Sequence, residues 1–178
     1  MKRPRAALVV VGGLVASGKS TVARRLAEEL GAALLCADEL REAFHRAGRT
    51  DAYVPGFSLR VYQEIMRRAR AELERGRPVV MDGTFRSRRL RTEARAMARE
   101  RALPFRFVEC RAGREVCRAR LRQREAESGE RGWTELFEHF LPLWEPVEEI
   151  PEPEHVVLDT SGPLQLASTR TLLHLEGT

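Results

Sequence analysis

A glycine-rich stretch near the start of the chain, residues 13–21, constrains the fold more than any other feature. It reads Gly-Leu-Val-Ala-Ser-Gly-Lys-Ser-Thr and fits the phosphate-binding P-loop pattern G-x-x-x-x-G-K-[ST]. An apolar, β-branched run at residues 6–11 precedes it and predicts a buried strand. Residues 21–30 follow with apolar side chains at helical spacing, ended by Gly31. Strand, glycine loop and helix in this order predict a nucleoside triphosphate site.

The same pattern indicates what each residue of the loop contributes. Glycines let backbone N–H groups turn toward a phosphate, and the N-terminus of the following helix adds a partial positive charge. Lys19 is expected to reach the β- and γ-phosphates, and the Ser20 hydroxyl is expected to ligate Mg²⁺. The predicted cofactors are therefore ATP and Mg²⁺. The predicted nucleotide-binding residues of the loop are Gly13, Ala16, Ser17, Gly18, Lys19, Ser20 and Thr21.

Strand and helix patterns alternate along the chain, which predicts an α/β fold. We expect three layers: a five-stranded parallel sheet, helices on both of its faces, and a helical lid at about residues 111–131. With 178 residues and no linker, the chain is expected to form a single domain, 1–178. The predicted strands are 6–12, 32–36, 78–82, 105–110 and 155–159. The predicted helices are 19–30, 39–47, 58–76, 87–102, 113–127, 133–145 and 163–175.

Composition narrows the expected surroundings and partners. The formal net charge is +5, and lysine occurs only at positions 2 and 19, so nearly all positive charge is arginine, which suits phosphate recognition. The three cysteines form no C-x-x-C pair and predict neither a disulfide framework nor a zinc site. No apolar run approaches the roughly 20 residues of a membrane span. We expect a cytoplasmic monomer or homodimer with no membrane partner, since removing the N-terminus as a signal would destroy the P-loop.

Asp38 follows the second predicted strand, and Arg41 lies one helical turn later. Because ligands of open α/β sheets bind beyond the carboxyl ends of the strands, Asp38 is expected near the P-loop. In the functional interpretation Asp38 takes a proton from an acceptor hydroxyl, and Arg41 holds the acceptor or the transferring phosphoryl group. The alternative is a helix-capping aspartate beside a surface arginine. The P-loop favours the functional interpretation.

Asp82 ends the third predicted strand, Pro-Val-Val-Met-Asp at residues 78–82, in the manner of a Walker B aspartate. Its carboxylate is expected to organise Mg²⁺, and an alternative role is to hold the acceptor. The helix that follows, residues 87–102, is rich in arginine on its outer face, which is typical of a solvated surface.

A second arginine-rich helix is predicted over residues 113–127. Arg120 and Arg124 share a face close to Val116 and Leu121, on the side expected to turn inward. Burying two unpaired guanidinium groups there is costly, so they need an anion, and the phosphates of ATP are the candidate. The other face of this helix is expected to be solvated.

Aromatic residues occupy three further places. A row at helical spacing, Trp133, Phe137, Phe140 and Trp144, fits a core stripe better than a base-stacking platform. In the predicted loop 48–57, Tyr53 and Phe57 either line an acceptor pocket or pack on the core. The helix from residue 58 carries a predicted core stripe of Leu59, Tyr62, Ile65, Ala69 and Leu73. Residues 145–154, rich in Pro and Glu, predict a solvated loop.

These motifs together resemble the small P-loop kinases that phosphorylate hydroxyl groups. That group includes polynucleotide 5′-kinase, chloramphenicol phosphotransferase, gluconate kinase, the zeta toxins and kinases described as AAA-type ATPases. The matching pieces cover roughly residues 6 to 160. They are residues 13–21, Asp38-x-x-Arg41, residues 79–84 and Arg120-Leu121-x-x-Arg124.

The resemblance implies roles for several residues. Asp38 would be the general base, Arg41 would help to hold the phosphoryl group, and the pair Arg120 and Arg124 would belong to a lid that closes over ATP. It also implies that the turn at residues 159–162 lies near the adenine. One departure is Ala16, where many of these kinases carry glycine; an alanine fits if its φ is negative.

The sequence therefore predicts an ATP-dependent phosphotransferase that acts on a hydroxyl of a small molecule. The catalytic residues are expected to be Lys19, Asp38, Arg41, Arg120 and Arg124, and the metal ligands Ser20 and Asp82. Three alternatives stay open. The acceptor is the 5′-hydroxyl of a polynucleotide, the protein is a switch that hydrolyses ATP slowly without an acceptor, or it binds nucleic acid through its arginine faces.

Overall fold

A five-stranded parallel sheet forms the centre of the computed structural model, which describes residues 6–47, 56–129 and 131–162. The strands lie in the order β2-β3-β1-β4-β5, so the P-loop strand is central. This architecture confirms the predicted α/β fold. The strands are β1 (Leu8–Gly12), β2 (Ala33–Cys36), β3 (Val79–Asp82), β4 (Phe105–Arg111) and β5 (His155–Asp159).

Six α-helices are found in the described part of the chain. They are α1 (Lys19–Leu30), α2 (Ala37–Arg46), α3 (Phe57–Glu74), α4 (Arg88–Arg99), α5 (Arg114–Ser128) and α6 (Trp133–Phe140). The helix predicted over 133–145 is shorter than expected, because a 3₁₀ turn, Leu141–Leu143, replaces its last part. Pro142 lies in that turn and has no amide hydrogen for an α-helical bond. The helix predicted at 163–175 lies outside the described residues.

Helices cover both faces of the sheet, as the alternating pattern predicts. Side chains alternate along β1, so Leu8 and Val10 pack with α3 and α4, whereas Val9 and Val11 pack with α1. Both β1 and β3 are completely buried, which explains their continuous apolar runs. The P-loop therefore follows β1, a strand whose five residues are all buried.

The predicted core stripe of α3 is wrong at one position. Leu59 is 37% exposed, and the buried positions of this helix instead include Phe57, Val61 and Met66. Phe57 packs edge-on against Phe44, with ring centroids 6.1 Å apart, so it belongs to the core rather than to an acceptor pocket. The other aromatic of that predicted loop, Tyr53, lies outside the described residues.

The predicted solvated face of α4 is wrong at two arginines, because Arg91 is completely buried and the Arg95 side chain is only 15% exposed, whereas Arg88, Arg89 and Arg99 are exposed. Arg91 and Arg95 form ion pairs with glutamates of residues 145–154, the segment expected to be a solvated loop. In that segment Ile150 is buried in the main core. The guanidinium groups can enter the interior because carboxylates enter with them.

Besides the hydrophobic clusters on the two faces of the sheet, a smaller cluster joins α5 and α6 to the P-loop. Val15 of the loop packs with Cys117 and Leu121 of α5 and with Phe137 of α6. Trp133 and Phe140 pack at its margin, which confirms a packing role for three of the four aromatics in the row. Trp144 lies beyond the 3₁₀ turn and contacts Arg91 instead.

Candidate functional site

The P-loop begins with a glycine that no other residue can replace without a rearrangement. A Cβ atom on Gly13 would lie 2.6 Å from the backbone oxygen of Cys110 and 2.5 Å from the Ser17 hydroxyl oxygen. The loop ends at Gly18, which has φ 81° and caps α1 in the left-handed conformation. The amide of Gly13 donates to the carbonyl of Thr84, 3.2 Å away, and so ties the loop to the turn after β3.

The condition under which an alanine fits easily at position 16, a negative φ, is not met. Ala16 has φ 62°, a conformation that costs an alanine roughly 1 kcal/mol more than a glycine. Two contacts hold it there: the Ala16 carbonyl accepts a hydrogen bond from Arg120, and its side chain packs beside the cluster of Val15 and Phe137. The loop therefore has the backbone shape for which glycine is suited, although its residue is alanine.

The remaining residues of the loop differ in accessibility. Lys19 is only 8% exposed, and its amino group has no hydrogen bond or ion pair with the residues described. Ser17 is buried, and its hydroxyl has no partner there either. Ser20 is half-buried at the start of α1, whereas Thr21 is exposed. An ammonium group at the P-loop that has no described counter-charge is well suited to bind an anion.

Asp38 lies in the first turn of α2 and is not its N-cap, which is Cys36. Its carboxylate is 67% exposed and accepts a 2.6 Å hydrogen bond from Arg41, which is 33% exposed. The capping alternative is thus wrong for Asp38. An exposed carboxylate at the end of β2, with one arginine beside it, has free lone pairs for a ligand.

Asp82 ends β3, next to β2, and is buried. Its Oδ2 accepts a 3.5 Å hydrogen bond from the Cys36 thiol, and its Oδ1 has no described partner. Burial is the main cause that raises the pKa of Cys36 to about 11, so the thiol stays protonated and donates. This contact couples the ends of β2 and β3, which carry Asp38 and Asp82.

Arg120 binds backbone carbonyls in this structure. Its guanidinium donates to Ala16, 3.1 Å away, and to Thr160, 2.6 Å away. The Thr160 hydroxyl is completely buried and lies 2.5 Å from the Ser17 carbonyl and 2.9 Å from the Arg111 carbonyl, which share its single donor. The turn after β5 and helix α5 therefore meet at the P-loop.

Arg124 does not share this environment, which corrects the expectation of two inward guanidinium groups. It is exposed, and its guanidinium carbon lies 5.2 Å from the centre of the Trp133 ring. A cation–π contact at the surface satisfies such a group without an anion. The residue stays a candidate for phosphate contact by position only.

Sequence reasoning missed the turn after β3. The hydroxyl oxygens of Tyr62 and Thr84 lie 2.9 Å apart, and the amide of Phe85 donates to the Tyr62 hydroxyl. Burial raises the pKa of Tyr62, which keeps its proton. A sequence signal for this contact was Tyr62 itself. It lies in the predicted core stripe of α3, and a buried tyrosine hydroxyl needs a hydrogen-bond partner.

The clefts in the described part of the molecule include two of similar volume. The cleft of about 420 Å³ borders Gly13 and Leu14 and lies between the end of β4 and Trp144. The other, of about 460 Å³, lies between β2 and the end of α3, and none of its lining residues belongs to the P-loop. The cleft beside Gly13 adjoins the P-loop and includes Ser17 in its lining, but it does not include Lys19, Asp38 or Asp82.

Two further findings concern residues 6–47, 56–129 and 131–162. They hold no cluster of three or more His, Cys, Asp or Glu side chains that would bind a metal by itself. They also hold no helix that is long and apolar enough to cross a membrane.

Comparison with known proteins bears on the family and the fold of this chain. A family described as AAA domain matches residues 8–141, and several solved structures share the fold. A gluconokinase from Sinorhizobium meliloti is 22% identical, with a TM-score of 0.69 over 97% of this chain and 92% of that one. An APS kinase from Mycobacterium tuberculosis, solved with AMPPNP and APS, is 25% identical, with a TM-score of 0.58 over 90% and 91%.

A sugar kinase from Janibacter sp., solved without ligand, is 22% identical, with a TM-score of 0.66 over 95% of this chain and 91% of that one. An uncharacterized protein of Mycobacterium tuberculosis is 35% identical over 100 residues, which is 51% of this chain and 20% of that protein. The chain thus spans about a fifth of the length of the curated relatives it matches.

Proposed function

Because the chain belongs to the AAA domain family of small P-loop kinases, we propose that it transfers the γ-phosphoryl group of ATP to a hydroxyl of a small-molecule acceptor. One observation carries this proposal. The exposed carboxylate of Asp38 lies just after the carboxyl end of β2. The hydrogen bond from Cys36 to Asp82 connects that end to the carboxyl end of β3, and the P-loop follows the adjacent strand β1.

The proposed reaction is an in-line displacement. The Asp38 carboxylate accepts the proton of the acceptor hydroxyl, whose oxygen then attacks the γ-phosphorus. The bond from that phosphorus to the bridging oxygen breaks, and ADP leaves with the electron pair. Arg41 orients Asp38 through their hydrogen bond and stabilises negative charge on the phosphoryl oxygens.

Charge stabilisation is the proposed role of the remaining basic residues. Lys19 is buried without a described counter-charge, so a triphosphate would supply its missing partner. Arg120 already lies against the P-loop through Ala16, and Arg124 lies one turn farther along α5. Both would contact phosphate oxygens once ATP is bound.

The donor set fits Mg²⁺, the cation that accompanies ATP in such sites. Ser20 offers a hydroxyl at the start of α1, and Asp82 offers a buried carboxylate oxygen that has no described partner. Bound there, the ion would neutralise phosphate charge. The unpartnered Asp82 oxygen is the observation that favours this assignment over a role in holding the acceptor.

A small acceptor is favoured over a polynucleotide by what the similar kinases act on. The gluconokinase and the APS kinase are named for small acceptors, and their folds cover almost the whole chain. Arg120 and Arg124 also have local partners, so these two side chains form no free basic track for a nucleic acid backbone.

The test is transfer of label from γ-labelled ATP to a panel of sugars, sugar acids, nucleosides, antibiotics and 5′-hydroxyl oligonucleotides. We expect label in a small acceptor. Asp38→Asn should lower transfer by roughly 10²- to 10⁴-fold while leaving ATP affinity unchanged. The matched control is Glu39→Gln, which removes the same charge from an exposed neighbour on the same turn.

Lys19→Ala supplies the second arm, and it should abolish ATP binding measured by calorimetry. Unchanged ATP affinity in folded Lys19→Ala would contradict the nucleotide site. Slow hydrolysis without any labelled acceptor, insensitive to Asp38→Asn, would identify a switch. Labelled 5′ ends, with oligonucleotide binding that weakens steeply as salt rises, would replace the small acceptor by a polynucleotide.

A further inference from the structure

Arg91 is the most completely enclosed charged residue of the described chain, and every donor of its side chain is used. Its Nε and Nη2 donate to the Glu149 carboxylate at 2.6 and 3.3 Å. The second hydrogen of Nη2 goes to the carbonyl of Pro146, and Nη1 donates to the carbonyls of Phe85 and Arg86. The guanidinium carbon lies 5.8 Å from the ring centres of Phe107 and Trp144.

Two of these hydrogen bonds fix the turn after β3, residues 83–86, which we call the β3 turn. Phe85 has φ 43°, a conformation that a bulky residue adopts only when its surroundings enforce it. Arg91 holds its carbonyl at 3.0 Å, and Tyr62 accepts a hydrogen bond from its amide. The strained residue is therefore held at both ends of its backbone.

The β3 turn is also in contact with the P-loop. The Thr84 carbonyl accepts the amide hydrogen of Gly13 at 3.2 Å, and the amide of Gly83 donates to Val11 of β1. A displacement of the turn would therefore move the first residue of the P-loop. It would also move Asp82, which immediately precedes the turn.

We propose that Arg91 is a positioning residue: it holds the β3 turn in its strained shape, and through it sets the spacing between Asp82 and the P-loop. This role rests on the proposed function of the same site. A lysine at position 91 keeps the charge beside Glu149 but has three donors on one atom. It cannot span the glutamate and the two turn carbonyls as the planar guanidinium does.

The burial of Glu149 agrees with this arrangement. Burial is the largest single influence and would raise the pKa of its carboxyl. The hydrogen bonds and charge of Arg91, together with the backbone amides of Glu148 and Glu149, outweigh burial and hold the pKa below its ordinary value. Its Oε2 also accepts the amide hydrogen of Glu148. Glu149 thus stays ionised and anchors Arg91 from the side opposite the turn.

The first variant is Arg91→Lys, and its matched control is Arg95→Lys. Arg95 lies one turn farther along α4, pairs with Glu154, and has no bond to the β3 turn. We expect Arg91→Lys to lower kcat by about 10-fold with the KM for ATP almost unchanged, because misplaced groups slow the chemical step more than binding. The control should leave kcat nearly unchanged.

Hydrogen exchange gives a readout that does not depend on catalysis. In Arg91→Lys the amides of Gly13 and Phe85 should exchange about 10-fold faster than in the native chain, whereas amides in the middle of α1 should not change. A purely structural role predicts a uniform rise in exchange and a smaller active fraction. That uniform pattern, or exchange equal to that of Arg95→Lys, would overturn the proposal.

Glu149→Gln is the second variant and keeps the proposal testable if Arg91→Lys does not fold. It preserves the carbonyl bonds of Arg91 but weakens its anchor, so the same two amides should exchange roughly 3-fold faster, with other amides unaffected. Unchanged exchange at both amides would contradict the role of Arg91. Absence of phosphoryl transfer by the native chain would instead contradict the proposed function, whatever the exchange shows.

Discussion

Helices α4 and α5 are both rich in arginine, yet they place these residues in opposite environments. Arg91 and Arg95 of α4 are buried against glutamates that lie more than fifty residues later in the chain. On α5, Arg124 is exposed beside Trp133, and Arg120 is half-buried against backbone carbonyls. Sequence periodicity predicts the reverse: a solvated α4 and an inward face on α5.

The difference shows what decides whether an arginine enters the interior. Helical spacing says which residues share a face, but it does not say which segment covers that face. Residues 145–154 bring Glu149 and Glu154 to α4, and the ion pairs make burial tolerable. No described carboxylate reaches Arg120, so this residue binds the P-loop instead.

The largest effect is expected from breaking the pair under α4. Arg91→Met leaves the largely buried Glu149 with Arg88, 3.7 Å away, as its remaining cationic neighbour, and we expect the free energy of unfolding to fall by about 3 kcal/mol. Urea denaturation measures this change. The same substitution at exposed Arg122 of α5 should change stability by less than about 0.5 kcal/mol. Equal effects at the two positions would show that the buried position of Arg91 contributes nothing to the free energy of unfolding.

A pH titration tests the same buried pair, because the carboxyl group of Glu149, which binds Arg91, has a lowered pKa in the folded state. A carboxyl with a lowered pKa in the folded state stabilises the protein above its unfolded pKa, near 4.5. That stabilisation is lost as the pH falls through the lower folded value. We expect unfolding free energies below about pH 4.5 to decline more steeply in the native chain than in Glu149→Gln. Parallel declines would contradict the coupling.

Arg120 should show an intermediate effect. Arg120→Gln removes two hydrogen bonds to carbonyls of Ala16 and Thr160, and we expect a loss of about 1–2 kcal/mol. Thermal unfolding with and without ATP separates two contributions: the loss without ATP reports the carbonyl contacts, and a smaller gain on adding ATP reports lost phosphate contact. An unchanged gain would remove Arg120 from the nucleotide site.

The smallest effect on stability is expected at Arg124. Arg124→Gln loses one surface cation–π contact with Trp133, worth about 0.5–1 kcal/mol. Calorimetric unfolding of this variant beside Arg120→Gln orders the two arginines of α5. If Arg124→Gln is the more destabilising of the two, then the contrast is wrong between Arg120, hydrogen-bonded to the P-loop, and Arg124, at the surface beside Trp133.

Local patterns were sufficient for much of the fold and for part of the candidate site. The parallel sheet with helices on both faces follows from the alternating elements, and the positions of Lys19, Asp38 and Asp82 follow from motifs at the ends of strands. These features are encoded within a few neighbouring residues. The roles of these residues in catalysis stay predictions.

The features that sequence reasoning missed depend on distant partners. Arg91 and Glu149 are 58 residues apart, and Tyr62 meets Thr84 across 22 residues. The positive φ of Ala16 also depends on such a contact, because Arg120 holds its carbonyl. Without the fold, no pattern within a single helix or loop reveals these pairs.

The backbone carbonyls of Ala16 and Thr160 compete with the nucleotide for the N–H donors of Arg120. If Arg120 turns to a phosphate, it must first release the carbonyls of Ala16 and Thr160. The measured affinity for ATP would then equal the intrinsic affinity multiplied by the fraction of molecules in which Arg120 is released. A substitution that never touches the nucleotide, yet loosens this contact, would make the protein bind ATP more tightly.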